Sequence, residues 1–331
     1  MFWSRYLGVN NLNEGDSIKL LSIEYVLRGN ILRQKNIYSD NQSQTKDTFG
    51  FKWAKRDTYE SKAVQGTAKE WLVERYLGGC TALLDEWLTT DSKVLDAGCG
   101  AGLSALLFFE SYLKKIHYLG VDISTAVEVA AERFREKNKT GEFLQADLLN
   151  LPFSEPVFDM IFSEGVLHHT DSTEKAIKYL STLLVPGGRF LFYVYRKKAT
   201  IREFADDYIR DYLKDMDDQQ AWDALLPLTR LGKSLGDLNI KVNVPEAIPY
   251  LGIPSGDMDI QRLFYWYVFK AFYKPEWTLE EMNYVNFDWY RPLNCHRQTP
   301  EQVNRWCIEA GLSIERMDIQ ESGITVVATK R

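Results

Sequence analysis

Val94-Leu95-Asp96-Ala97-Gly98-Cys99-Gly100-Ala101-Gly102 is a short apolar run that empties into a glycine-rich turn, with helix-forming sequence following from Leu103. Glycine at 98, 100 and 102 lets a backbone turn sharply and approach a ligand with no β-carbon in the way. A dinucleotide fingerprint, G-x-G-x-x-G, would require glycine at 103, where this chain has Leu103. The turn therefore favours a ligand without a pyrophosphate.

Outward from this turn, strand and helix alternate as in a parallel α/β sheet. Lys93 to Asp96 reads as a strand and Leu103 to Lys114 as a helix. Tyr118 to Asp122 is the second strand, followed by a helix from Thr125 to Lys137. Phe143 to Ala146 and Phe158 to Phe162 are the third and fourth, and Arg189 to Tyr195 the fifth, after a helix that stops at Pro186-Gly187-Gly188. Helix Pro300 to Ala310 and two short runs, Leu312 to Arg316 and Ile324 to Ala328, close the sheet as a hairpin.

Asp122 ends the second strand about 20 residues past the turn, where this geometry sets a carboxylate against ribose hydroxyls. Asp147, after the third strand, can accept a hydrogen bond from an adenine amino group. Ser163-Glu164-Gly165-Val166-Leu167-His168-His169 leaves the fourth strand at the carboxyl edge of the sheet, where ligands bind. An adenosine-bearing ligand fits. Each residue also has a plainer reading: Asp122 and Asp147 as helix caps, Cys99 as a small packing residue, either histidine as a structural hydrogen-bonding group.

The rest of the chain frames this unit. Residues 1–70 read as an N-terminal arm with strand-like runs at Glu24 to Leu27 and Asn30 to Leu32, a loop at Asp40 to Asp47, and helix-forming sequence towards Tyr76. Residues 71–196 form the ligand-binding core and 300–331 complete it. Residues 197–299, too long for an ordinary connection, read as an inserted, mostly helical cap. The aromatic run Phe264 to Tyr267 belongs to the interior of that cap, and the acidic stretch Asp206-Asp207 and Asp211 to Asp218 to a solvated helix face.

With 331 residues, 45% of them hydrophobic, the chain can bury a full core; its net charge of −6 argues against a nucleic-acid partner held by a broad basic surface. Cys80, Cys99, Cys295 and Cys307 are far apart, so no disulfide framework or zinc site is indicated and a reducing cytoplasm is expected. The N-terminus lacks the pattern of a signal peptide, and no run is long and apolar enough for a membrane span.

This series of motifs resembles the class I S-adenosylmethionine-dependent methyltransferases, in particular the small-molecule group that carries L-H-H after the fourth strand. The resemblance covers Lys93 to Tyr195 well and the C-terminal helix and hairpin loosely. It implies a Rossmann-like α/β fold: a seven-stranded, mainly parallel sheet, its last strand antiparallel, with helices on both faces. It also implies that Asp96, Gly98, Gly100 and Gly102 surround the methionyl part of the cofactor. Asp122 then lies on the ribose, Ile123 against the adenine, Asp147 and Leu148 at the adenine edge, and Ser163 beside the sulfonium.

Phe51 to Tyr59 looks like an N-terminal element that caps the cofactor in some relatives, which places Trp53 and Tyr59 there. Some of those relatives begin with a cysteine-bearing zinc ribbon; no cysteine precedes Cys80 here, so no metal is expected. Asn286 to Pro292 with His296 looks like the segment before the last helix, making His296 and Tyr195 candidate substrate contacts.

Methyl transfer from a sulfonium is an in-line displacement that consumes a positive charge, so alignment matters most and no metal is needed. A hydroxyl or protonated amine acceptor needs a base, for which His168 and His169 are placed. The faces of Tyr193, Tyr195, Trp53 and Tyr59 can stabilise the cationic donor. The expectation is thus methyl transfer to oxygen or nitrogen of a small metabolite, of the kind found in natural-product or glycan assembly, by a monomer or a homodimer. A nicotinamide-dependent oxidoreductase and a non-catalytic S-adenosylmethionine-binding partner subunit stay open beside it.

Overall fold

The computed structural model of the chain describes residues 7, 9, 12–36 and 38–331. The stretch Met1 to Tyr6, on which the expected lack of a leader partly rests, lies outside the described residues.

At the centre stands β4 (Lys93–Ala97), parallel to β5 (His117–Asp122) on one side and to β7 (Phe158–Glu164) on the other. Parallel pairing continues outward to β6 (Glu142–Gln145) beyond β5 and to β8 (Leu184–Tyr195) beyond β7. β12 (Gly323–Lys330) runs antiparallel to β8 and to the edge strand β11 (Leu312–Ile319). These seven strands are the Rossmann-like unit that the motifs imply. The pleat sends Val94, Met160 and Phe162 into one apolar core and Leu95, Ala97 and Ile161 into the other, which is why the central strands are apolar on both faces.

The sheet has ten strands rather than seven. β1 (Ser17–Leu20), β2 (Ile23–Arg28) and β3 (Ile31–Gln34) form an antiparallel meander whose last strand pairs in parallel with β6. The reason is physical: β6 would otherwise present an open edge. Tyr25 and Leu32 bury against Leu144, and Arg33 donates to Gln145 Oε1 at 2.8 Å.

Asp40 to Asp47, expected as a loop, instead opens helix α1 (Asp40–Ala54). The Ser39 hydroxyl caps it by accepting from Gln42 N–H at 3.0 Å. Its inward face is polar: Gln42, Thr45, Thr48 and Lys52 are buried, so the helix carries no apolar stripe to read. Thr48 donates to Asp218 at 2.9 Å and Gln42 to the His169 carbonyl at 3.3 Å. α2 (Lys62–Leu77) and α3 (Leu83–Trp87) precede β4; α4 (Leu103–Phe108) and α5 (Ala126–Glu136) follow β4 and β5, and α6 (Thr173–Thr182) precedes β8.

Between β8 and α11 (Pro300–Glu309), residues 197–299 form α7 (Thr200–Leu213), α8 (Asp218–Asp237), the hairpin of β9 (Lys241–Val244) and β10 (Gly256–Asp259), α9 (Ile260–Tyr267) and α10 (Leu279–Tyr290). Asp206, expected on a solvated helix face, instead ties this segment together. Fully buried, it accepts from Arg202 Nε at 2.7 Å, from Trp289 Nε1 at 2.8 Å and from the Tyr290 hydroxyl at 2.8 Å. Asp206→Ala is expected to cost about 3–5 kcal/mol in denaturant unfolding, because it strands a buried guanidinium and two further donors. A loss near zero would show that the segment is held by packing alone.

β4 and β5 are also joined side chain to side chain, the Tyr118 hydroxyl donating to Asp96 at 2.7 Å. Burial pushes the Asp96 carboxyl from its ordinary 3.8 up to about 7, against the pull of Tyr118. The folded state thus favours the protonated acid; that contribution is full below the ordinary value and is lost as pH rises through about 7. Thermal melts of Asp96→Asn against the native chain should coincide near pH 3.8 and diverge in favour of the variant above about 7. A constant difference across that range would rule out a titrating Asp96.

Candidate functional site

A cavity of about 590 Å³ opens at the carboxyl ends of the parallel strands, roofed by α1, α10 and residues of the 197–299 segment. Its floor is the glycine turn. Gly98 has φ +89°, and a β-carbon there would lie 2.2 Å from Val166 Cγ1. Gly100 has φ +50°, and a β-carbon there would lie 2.7 Å from the indole of Trp53. No other residue can pack this turn so tightly between the loop after β7 and the helix above it.

Asp122 ties the turn to the second strand. Its carboxylate accepts from Gly100 N–H at 2.9 Å and from the backbone and hydroxyl of Ser124 at 2.8 and 2.6 Å. Burial raises its pKa while these donors pull the other way. Asp147 accepts from Leu149 N–H at 2.9 Å, and its own N–H donates to Gln34 Oε1 at 2.8 Å, so β3 helps to aim this loop. Burial raises the Asp147 carboxyl as well. Two acceptor carboxylates with Ile123 and Leu148 on the same wall suit an adenosyl group, whose hydroxyls and amino group donate and whose ring is apolar on its faces.

Ten of the residues assigned to the site from sequence line this one cavity: Trp53, Tyr59, Gly98, Asp122, Ile123, Asp147, Leu148, His169, Tyr193 and Tyr195. Asp96, Gly100, Gly102, Ser163, His168 and His296 do not. Asp96 is engaged by Tyr118 behind the turn, and the buried Ser163 hydroxyl donates to the Ala97 carbonyl at 2.7 Å. His296 is exposed, its backbone N–H donating to the His168 carbonyl at 2.9 Å.

The two histidines part company. His168 is buried behind Tyr195, the ring centroids 3.7 Å apart, and burial holds its pKa well below the ordinary value. His169 reaches the cavity wall. Its Nδ1 is 2.6 Å from the Asn294 carbonyl, which can only accept, so Nδ1 carries the proton and Nε2 keeps its lone pair. Burial lowers its pKa to about 4, leaving the ring neutral near pH 7. Nε2 has no partner among the described residues.

The roof holds groups that sequence reasoning did not assign. Lys52 pairs with Asp288, and Asp288 also accepts from the Tyr195 hydroxyl at 2.6 Å. Arg75 pairs with Glu164 and lies 4.1 Å from the ring centroid of Tyr193. Tyr59 donates to the Trp53 carbonyl at 2.6 Å, and its ring packs on Trp53 and Tyr284 at 5.2 and 5.4 Å. Towards the far end stand Lys198, Arg262, Lys270, Trp266 and Trp289. Asp288 and Trp289 sit inside the segment Asn286 to Pro292 noted from sequence, but only the packing of α10 on α1 shows their purpose. Among the described residues no cluster of histidine, cysteine and carboxylate could hold a metal ion, and no helix is long and apolar enough to cross a membrane.

Residues 95–192 match the model of a methyltransferase domain family. A probable tRNA methyltransferase 9B of Mus musculus is 38% identical over 120 residues, 34% of this chain and 24% of that protein. The ubiquinone/menaquinone biosynthesis C-methyltransferase UbiE of Vibrio cholerae is 27% identical over 176 residues, 49% of this chain and 67% of that one. Among solved structures, a magnesium protoporphyrin IX methyltransferase from Synechocystis PCC 6803 with bound SAH aligns over 88% of this chain and 100% of its own, at 15% identity and a TM-score of 0.48. The chain spans about a quarter of the length of the tRNA methyltransferase 9B proteins it matches. Residues 95–192, where the glycine turn, Asp122, Asp147 and the loop after β7 all lie, carry the match to the methyltransferase domain.

Proposed function

We propose that the chain transfers a methyl group from S-adenosylmethionine to an oxygen or nitrogen of a small metabolite. The observation that carries this reading is the continuity of the cavity: one space joins Gly98, Asp122 and Asp147 at one end to the aromatic and cationic roof at the other. When bound, the cofactor supplies an electrophilic methyl on a sulfonium sulfur.

In this reading Asp122 receives the ribose hydroxyls and Asp147 the adenine amino group. Ile123 and Leu148 flank the adenine. Trp53 and Tyr59, fixed on each other and on Tyr284, close the near end and exclude water. Tyr195, oriented by Asp288, borders the acceptor. In this reading His169 is the base: its Nε2, buried and without a partner among the described residues, keeps the lone pair that takes the proton of an incoming hydroxyl, and the Asn294 carbonyl stabilises the proton on Nδ1 as charge develops. His168 supports Tyr195 from behind and takes no proton.

A roofed cavity and a net charge of −6 favour a small acceptor over a polyanionic one. The likeness to a probable tRNA methyltransferase supports a second reading, methylation of tRNA. Incubating the chain with labelled donor and, separately, a small-metabolite extract and bulk tRNA decides between them by where the label goes.

Calorimetry with S-adenosylhomocysteine should show binding, with NADH as a silent control. Asp122→Ala should weaken it by about 1–3 kcal/mol, roughly fivefold to 150-fold, through loss of paired ribose hydroxyls. Unchanged affinity would remove Asp122 from the site.

Once an acceptor is in hand, His169→Gln should lower kcat by about 10²–10⁴ while leaving S-adenosylhomocysteine affinity alone. His168→Gln should act weakly. Near-native turnover in both variants would mean that alignment alone drives the reaction.

A further inference from the structure

The cations that line the cavity fall into two groups. Lys52, Arg75, Arg202 and Lys274 are each paired with a carboxylate: Asp288, Glu164, Asp206 and Glu276. Lys198, Arg262 and Lys270 are not; among the described residues no carboxylate lies within ion-pair distance of any of them. The Lys198 ammonium donates to the carbonyls of Glu321 and Ser322, and Arg262 to that of Tyr273 at 3.2 Å. The ammonium of Lys270 lies 4.8 Å from the ring centroid of Trp289, and that of Lys198 5.4 Å from the same ring. The nearby Asp288 is engaged by Lys52 and Tyr195 and lies beyond ion-pair distance of all three.

A buried ammonium with no counter-ion, such as that of Lys270, is costly, and the half-buried Lys198 against the same indole adds to the cost. Burial pulls the Lys270 ammonium down to about 7; Asp288 and Asp206 act against this, Arg202 with it. Burial, Arg202 and Lys270 hold Lys198 well below its ordinary value. Such a trio stays charged at little cost only when an anion enters with the ligand. Around it the walls are aromatic, with Trp266 beside Lys198 at 5.9 Å and Trp289 behind both lysines.

Resting on the methyltransferase reading, we propose that the acceptor carries a compact oxyanion, a carboxylate or phosphoryl group, seated among Lys198, Lys270 and Arg262, with an apolar or aromatic body along Trp266 and Trp289. The oxyanion anchors the far end of the acceptor. Its nucleophilic atom then lies towards His169 and the glycine turn. A neutral metabolite of the same shape leaves the three cations unmatched and binds poorly, so charge selects the substrate.

The test titrates the full chain, with and without saturating S-adenosylhomocysteine, with phenyl phosphate, 3-phenylpropionate and the neutral 3-phenylpropionamide, read by ligand-observed NMR. At least one anion should bind about tenfold or more tightly than the amide, and the stronger of the two identifies the oxyanion. Lys270→Gln and Lys198→Gln should each lower that affinity about tenfold, with S-adenosylhomocysteine affinity unchanged and Lys270→Arg retaining anion binding. If a lysine variant does not fold, the half-buried Arg262→Gln carries the same comparison. Equal binding of the amide, no binding of either anion, or full anion affinity in the folded variants would overturn the proposal. Absence of S-adenosylhomocysteine binding would overturn the methyltransferase reading instead, because anion selectivity is also measured without it.

Discussion

The carboxylate of Asp288 holds three parts of the chain against one another. It sits on α10, pairs with Lys52 of α1 and accepts from Tyr195 at the end of β8. Burial alone would raise its pKa, but the charges of Lys52 and Lys270 and the Lys52 hydrogen bond outweigh burial and keep it ionised. Because the anion is fixed, α1 must lie across the sheet edge. That position seats Trp53 on Gly100, sets Gln42 against the His169 carbonyl, and brings the Tyr284 ring onto Tyr59. The roof over the glycine turn is therefore an electrostatic consequence as much as an apolar one.

The two ends of the cavity follow different charge logic. Near the turn, Asp122 and Asp147 are acceptors surrounded by backbone donors, an arrangement suited to the hydroxyls and amino group of a nucleoside. Under the roof, cations outnumber the acids free to meet them. One continuous space can then hold ligand groups of unlike charge apart and aligned. His169 stands between, its tautomer set by one carbonyl.

The glycine turn, the parallel strand series and the positions of Asp122 and Asp147 were legible because each depends on local rules. Glycine marks positive φ, apolar runs mark buried strands, and a carboxylate closing a strand lands on the ligand edge. α1 was not legible. Asp40 to Asp47 is made of turn formers, and its buried face is composed of Gln42, Thr45, Thr48 and Lys52, which bond to distant residues instead of packing on them. The meander of β1 to β3 showed its strands in part, but its pairing with β6 depends on an edge that exists only once the sheet is built. The adjacent histidines could not be ranked from their order in the chain. A short helical turn sends one behind Tyr195 and the other to the wall.

By itself the sequence determined the α/β class, the glycine turn with the carboxylates beside it and the presence of a long segment between the fifth and sixth strands of the core, because these are written in spacing and residue type over short distances. Tertiary structure alone decided which cations are paired, which histidine faces the cavity, and that Asp288 joins helix, strand and roof. Those outcomes depend on contacts between residues as many as 236 positions apart, as for Lys52 and Asp288, and on burial. A charge acquires its partner, and a histidine its tautomer, only when the chain has folded around it.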